Sequence, residues 1–305
     1  MLLAKRRRFD QKWPEQGWEL DVPQLVPHRD RRFEPAAASV RDIRPGSPEA
    51  SSGAETGEIA EGLLRDGYAV LNGLFAETAV EQARRCVLEN SSLLRNTRPN
   101  PSAGHLAGFH RYPALEHLHA MLSTQPGVLD VLKKATGSAF MQSIGLSDIT
   151  VNRSQEWHVD LLRGKYRHHL NSRICWGADG GGVYKVLLYL QSGQSLRIVP
   201  GAHIKAVDLD SDRKSEPEDP SEVTTVNVTA GAVILMDIRL PHRGSSEREL
   251  SNGDFLASPK ILISTVLGGE SRPLTAAMEK GNFERLLDWD TRHREQGRIP
   301  QLPLN

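Results

Sequence analysis

Cysteine is nearly missing from this chain: two in 305 residues, Cys86 and Cys175, far apart in sequence. That excludes a disulfide framework and a Cys-rich zinc site, and it fits a reducing, cytoplasmic compartment. Long apolar runs are missing too. No window approaches the roughly 18 apolar residues that span a bilayer. The opening, MLLAKRRRFDQKWPEQG, has the wrong order for a secretory signal, because its charges follow a short apolar stub and no apolar core comes after. Net charge is also absent, with 38 basic and 38 acidic side chains. Global charge therefore argues for no nucleic-acid and no membrane partner. The basic run Lys5 to Arg8 reads as a solvated terminus.

What remains is enough for a globular protein: 38% hydrophobic residues can build a core, and 25% charged is ordinary. Residues 1–57, rich in Arg, Pro, Glu and Ser, read as an irregular arm. EIAEGLLRDG then has helical spacing and a terminal Gly, YAVLNGLF reads as a strand, and AETAVEQARRCVLENSSLL as a second amphipathic helix. LEHLHAMLSTQPGVLDVLKKATG reads as two helices broken near Pro126. From about 138 the texture turns to β. FMQSIGLSDITVN, EWHVDL, YKVLLYLQ, LRIVPG, TTVNVTAG, AVILMDIRL and KILISTVLGG are short β-branched runs parted by turn residues, the pattern of a sandwich or barrel. Residues 208–222 are so charged that they read as a solvated loop. The chain divides into the arm (1–57), a β domain with N-terminal helices (58–273) and a C-terminal helix with its tail (274–305). No internal repeat is present.

Within EWHVDL, His158 and Asp160 stand two apart. On a strand they share a face while Trp157 and Val159 point the other way; in a helix they would be about 200° apart. A His and a carboxylate on one face offer adjacent positions on an octahedral ion, and a second His would complete a facial triad suited to non-haem Fe(II). Alone, His-x-Asp is a weak signal. His105, His110, His117 and His119 lie in or near the helical part, His168 and His169 in a polar insertion, and His203 after a Pro-Gly turn. His242 ends a long buried-type strand, and the preceding Pro fixes where its side chain points. It is the best third ligand.

The order HVD, YKVLLYL, GQSLRIVPGAH, AGAVILMDIRLPHRGSS resembles the phytanoyl-CoA dioxygenase group of Fe(II)/2-oxoglutarate oxygenases, from GLLRDGYAVLNGLF to about residue 270. The resemblance implies a mainly β fold with flanking helices, a double-stranded β-helix or cupin-type jelly roll. It implies His158, Asp160 and His242 as iron ligands, Fe(II) with 2-oxoglutarate and O2, a small-molecule substrate, and His203 in a structural turn. Family members meet the distal carboxylate of 2-oxoglutarate with an Arg after the second His, where this chain has Gly253. Lys260 falls at that place if SNGDFLAS is an insertion, with Arg243 and Arg248 as competitors. Asn152 and Ser245 resemble residues that family members place near the cosubstrate. Related halogenases replace the carboxylate ligand by a small residue; Asp160 is present, which favours hydroxylation over halogenation. The segment after His-x-Asp carries Arg163 and Arg167, candidates for an anionic substrate, and Gly180 to Gly182 read as a hinge for a lid. A cupin-like binding protein without turnover is the alternative from another class. A third, an interaction module working through the basic arm, has only the KRRR run behind it.

Overall fold

Met141–Val151, the longest strand (β3), is the spine of a computed structural model that describes residues 53–295, apart from 97, 210–216, 218 and 251–257. The arm up to residue 52, most of the charged loop at 208–222, the SNGDFLA part of the insertion and the tail beyond 295 lie outside the described residues. Along β3 apolar and polar residues alternate, as a half-buried strand requires. A bulge between Ser143 and Ser147 shifts its register, and Gly145 sits there at φ 73°, a conformation that only glycine adopts freely.

The other strands are β1 (Tyr68–Leu71), β2 (Gly104–Ala107), β4 (Val183–Tyr189), β5 (Gly193–Ile198), β6 (Thr224–Val228), β7 (Val233–Asp237), β8 (His242–Arg243) and β9 (Ile261–Gly269). Among the described residues they form a six-stranded sheet, β1-β7-β4-β9-β3-β2, and a three-stranded one, β6-β5-β8. Every pairing among these strands is antiparallel. The facing surfaces bury Leu187, Tyr189, Leu196, Ile198, Val226, Ile234 and Met236. On its other side the large sheet carries helices α1 (Gly53–Asp66), α2 (Glu77–Glu89), α3 (Glu116–Ser123) and α4 (Pro126–Thr136), which close a second core around Val186, Leu188, Val233, Leu235 and Ile263. Strands β4 and β7 are thus buried on both faces, which is why they read as continuous apolar runs. The architecture is a double-stranded β-helix with flanking helices, as the sequence implies. No described helix is long and apolar enough to cross a membrane.

Four local readings differ. EWHVDL is no regular strand; His158 makes a single antiparallel bridge to His242. RGKYRHH is a 3-10 helix, Gly164–His169, followed by α5 (Ser172–Trp176), because the Asn171 side chain accepts from Ile174 N and caps that turn. The first helix begins at Gly53, inside the stretch read as arm. Gly180 to Gly182 form no open hinge: a Cβ on Gly180 would lie 2.6 Å from the Cys175 carbonyl, and one on Gly181 2.5 Å from Arg239. Gly180 is held close to backbone, while Gly181 and Gly182 adopt φ 80° and 74°, the left-handed region that favours glycine.

The turn that delivers His242 is pinned by charge. Asp237, whose side chain is 2% exposed, accepts from Arg239 Nε (2.8 Å), Nη2 (2.7 Å) and backbone N (2.9 Å). Arg239 Nη1 also donates to Cys175 O at 2.9 Å. Removing one member of such a pair leaves the other charge buried. Asp237→Ala is therefore expected to lower unfolding free energy by about 3 kcal/mol in urea titration.

Candidate metal centre

His158 and His242 exchange both backbone hydrogen bonds, at 2.8 and 2.9 Å, and Asp160 N donates to Ile238 O at 2.8 Å. This two-point tether holds the His158–Asp160 segment against the turn after β7, so side chains two apart converge without a full strand. His158 Nε2 lies 3.6 Å from Asp160 Oδ1, and His242 Nε2 3.4 Å from Asp160 Oδ2. The imidazole centroids are 4.2 Å apart, and one ligand atom from each of the three residues lies within 4.8 Å of the others. Trp157 and Val159 point away into apolar clusters, as the alternation requires.

Both tautomers are set by neighbours. His158 Nδ1 sits 2.6 Å from Glu156 O and His242 Nδ1 2.9 Å from Leu240 O. A carbonyl only accepts, so each Nδ1 carries the proton and each Nε2 turns a lone pair to the centre. Burial first, and His158 second, push the His242 pKa down to about 3, so this ring is neutral at neutral pH. Burial works against ionised Asp160, but the charges around it, the Lys185 ammonium first among them, outweigh it and hold the carboxyl well below its usual range. Two imidazoles and one carboxylate, converging beside an open cavity, are the donor set of a 2-His-1-carboxylate site, and they fit a divalent iron.

Lys185 escaped the sequence reading. It shares the inward face of β4 with Leu187 and Tyr189, and its Nζ donates to Asp160 Oδ2 at 3.0 Å. Within YKVLLYL a single lysine reads as a strand-edge charge; its burial at 7% exposure follows only from the pairing of β4 with β7 and β9.

A second polar group lies just beyond. Lys260, 6% exposed, stands two residues before Leu262, an inward-facing member of β9. Its Nζ donates to Ser245 Oγ at 3.1 Å, and its backbone N to Asn152 Oδ1 at 2.8 Å. Asn152 N returns a bond to Lys260 O at 2.9 Å, and Asn152 itself sits at φ 43°, just past the end of β3. The structure thus brings together Lys260, Ser245 and Asn152. Ser245 continues the ladder of His242, with its carbonyl accepting from Gln155 N at 3.1 Å, so its Cα is at most about 10 Å from that of His242. Burial pushes the Lys260 pKa down to about 8, with Glu249 raising it and Arg197 lowering it. Arg243 and Arg248 take no part in this cluster among the interactions of the described residues; Arg243 pairs in register with Arg197.

In front of His158 and Asp160 opens a cavity of about 760 Å³. Arg163 and Arg167 both line it, but Arg163 Nη2 already donates to Val159 O at 2.5 Å. Arg98, Arg153 and the His105–Asp148 pair (2.9 Å), none of them singled out by sequence, share its wall. His105 lies on β2 and not in a helical region. His110 and His119 lie away from this centre, bonding Ser147 and Thr265, and burial is the first cause for His110 and the cause for His119 of pKa values pushed down to about 4. His203 is structural: its ring lies 3.1 Å from Leu64 O. His168, His169 and Glu284 form another close trio at the surface, joining the 3-10 helix to the long C-terminal helix α6 (Pro273–Glu295).

No protein-family model and no curated protein matches the sequence. Solved structures do. The non-heme alpha-ketoglutarate-dependent epimerase SnoN from nogalamycin biosynthesis superposes with a TM-score of 0.52 at 17% identity, over 71% of this chain and 84% of that one. HygX from Streptomyces hygroscopicus, solved with nickel, 2-oxoglutarate and hygromycin B, gives 0.51 at 19% identity, over 70% and 87%. At these identities the likeness is one of fold.

Proposed function

We propose that this protein is an Fe(II)/2-oxoglutarate-dependent oxygenase of the phytanoyl-CoA dioxygenase type, acting on a small molecule. The observation that carries the reading is the convergence of His158 Nε2, Asp160 and His242 Nε2 beside the cavity, each histidine locked by its Nδ1 bond. Iron held there, with 2-oxoglutarate and O2, supplies an oxidant able to hydroxylate an unactivated C–H bond, with release of succinate and CO2. The superposed SnoN and HygX structures include complexes with iron or nickel and 2-oxoglutarate, which supports the same cofactor pair here. Residues 58–273 form the catalytic domain, flanked by the arm and by the C-terminal helix and tail.

The side chains divide the work. The two imidazoles give lone pairs, and Asp160 gives a negative charge that Lys185 partly balances on the far oxygen. Lys260 meets the distal carboxylate of 2-oxoglutarate, and Ser245 holds that ammonium in place. Asn152 fixes the Lys260 backbone through two bonds. An ammonium lacks the bidentate fork of a guanidinium, so the neighbouring hydroxyl completes the orientation that an Arg would supply alone. Arg163 and Arg167, at the cavity wall, face the substrate.

Incubation with Fe(II), 2-oxoglutarate and air tests the reading. Succinate should form in proportion to O2 consumed; a protein that binds iron yet makes none is the non-catalytic cupin-like binder instead. A pH dependence follows from Lys260. Its ammonium is present below a pKa of about 8 and lost above it, so the free protein's affinity for 2-oxoglutarate should fall as pH rises through about 8. In Lys260→Arg, charged to beyond about pH 12, that fall should disappear. Equilibrium binding at a series of pH values checks it.

A further inference from the structure

Two guanidinium groups on the cavity wall have no hydrogen-bond or ion-pair partner among the described residues. Arg153 follows Asn152 at the end of β3; its side chain is half-buried, and its Nε is fully buried without a hydrogen bond. Among the described residues its guanidinium makes no hydrogen bond and no ion pair, and the same holds for the side chain of Arg98, in the loop before β2. Burial is the largest influence on Arg153 and pushes its pKa down; Arg98 adds to that, against the raising pull of Asp148 and Asp160. The acids that could have neutralised them are committed elsewhere: Lys185 holds Asp160 and His105 holds Asp148. Glu156 and Asp208 share the wall and have interactions of their own. The Arg153 Nε is withdrawn from water without a partner, a costly state that an anion relieves, and the exposed Arg98 beside it adds a second positive charge at the same wall.

We propose that Arg98 and Arg153 form an oxyanion subsite for the substrate, so that the oxygenase acts on a small molecule carrying a carboxylate or phosphate group. This rests on the oxygenase reading above. Two guanidinium forks are suited to a planar carboxylate or to several oxygens of a phosphate, which a point charge would orient less well. The substrate is anchored by its acidic end between β3 and the loop before β2, and its remaining carbon skeleton runs along the cavity toward His158 and Asp160. Arg163 and Arg167 on the same wall add to the field that draws an anion in. A carboxylate at the two arginines has two sources, the substrate or 2-oxoglutarate itself. Lys260 and Ser245 already provide for the second.

The test uses inorganic phosphate as the probe, titrated calorimetrically into nickel-loaded protein saturated with 2-oxoglutarate, and in parallel into protein without metal. Wild type should bind phosphate in both. Arg153→Gln and, independently, the exposed Arg98→Gln should weaken phosphate binding roughly tenfold or more, and Arg153→Lys should recover part of it. Affinity for 2-oxoglutarate should stay within about twofold of wild type in all three, a pattern that a purely structural arginine would not give. No phosphate binding by wild type, or unchanged binding in both Gln variants, overturns the subsite. A tenfold loss of 2-oxoglutarate affinity in Arg153→Gln overturns it as well, and assigns Arg153 to the cosubstrate. If nickel and 2-oxoglutarate do not bind, the oxygenase reading has failed, while the metal-free titration still decides whether the arginines hold an anion.

Discussion

His242→Ala is expected to bind Fe(II) at least ~100-fold more weakly than the parent protein and to form no detectable succinate, since loss of even an outer hydrogen bond to a ligand costs up to about that factor. The reason is geometric. His242 supplies one of three protein donors, and no other histidine among the described residues approaches Asp160 and His158. The fold should survive, because the bridge to His158 runs through backbone atoms that alanine retains. His158→Ala should behave alike. Asp160→Ala is more disruptive, since it also strips Lys185 of its only side-chain partner among the described residues and leaves a cation at 7% exposure unpaired. Iron titration and succinate assays, with circular dichroism as the check on folding, give the comparison. A His242→Ala protein with full activity would remove the assignment.

The second large effect belongs to Lys260. With its ammonium gone, the distal carboxylate of 2-oxoglutarate would enter a buried site without a counter-charge. Breaking a buried pair costs about 3–5 kcal/mol, so Lys260→Ala should raise the dissociation constant for 2-oxoglutarate by roughly two to four orders of magnitude. Iron affinity should hardly change, because Lys260 bonds Ser245 and not a metal-facing residue. Arg248→Ala should do little. The reverse ranking would place the cosubstrate's cation in the segment after His242.

These two sites were legible for different reasons. His158 and Asp160 stand out because a period of two brings them to one face, and that holds even though their segment makes a single bridge instead of a strand. His242 stands out because Pro241 and the buried run before it mark a rigid strand end. Lys260, Ser245 and Asn152 came from family resemblance, and the hydrogen bonds among them support that placement without testing it. Lys185, Arg98, Arg153 and the His105–Asp148 pair were hidden. Asp148 and His105 lie 43 positions apart and meet through the register of β2 on β3, which no local window contains. Lys185 is concealed by its apolar neighbours, and Arg153 by a positive-φ residue that ends the strand one position earlier. The glycine-rich stretch misled in the opposite sense, since three successive glycines signal mobility in sequence but mark a close backbone approach at Gly180 and left-handed backbone at Gly181 and Gly182 here.

The central claim is that His158, Asp160 and His242 hold an iron that 2-oxoglutarate chelates. Its most direct test is the visible absorption of the Fe(II)-loaded protein titrated with 2-oxoglutarate without air, because chelation through the keto oxygen and adjacent carboxylate creates a metal-to-ligand charge-transfer band. The band should appear and saturate at one 2-oxoglutarate per iron in the parent protein, appear only at much higher 2-oxoglutarate in Lys260→Ala, and be absent in His158→Ala. A parent protein that takes up iron but shows no such band, or a His158→Ala protein that shows it undiminished, would contradict the claim.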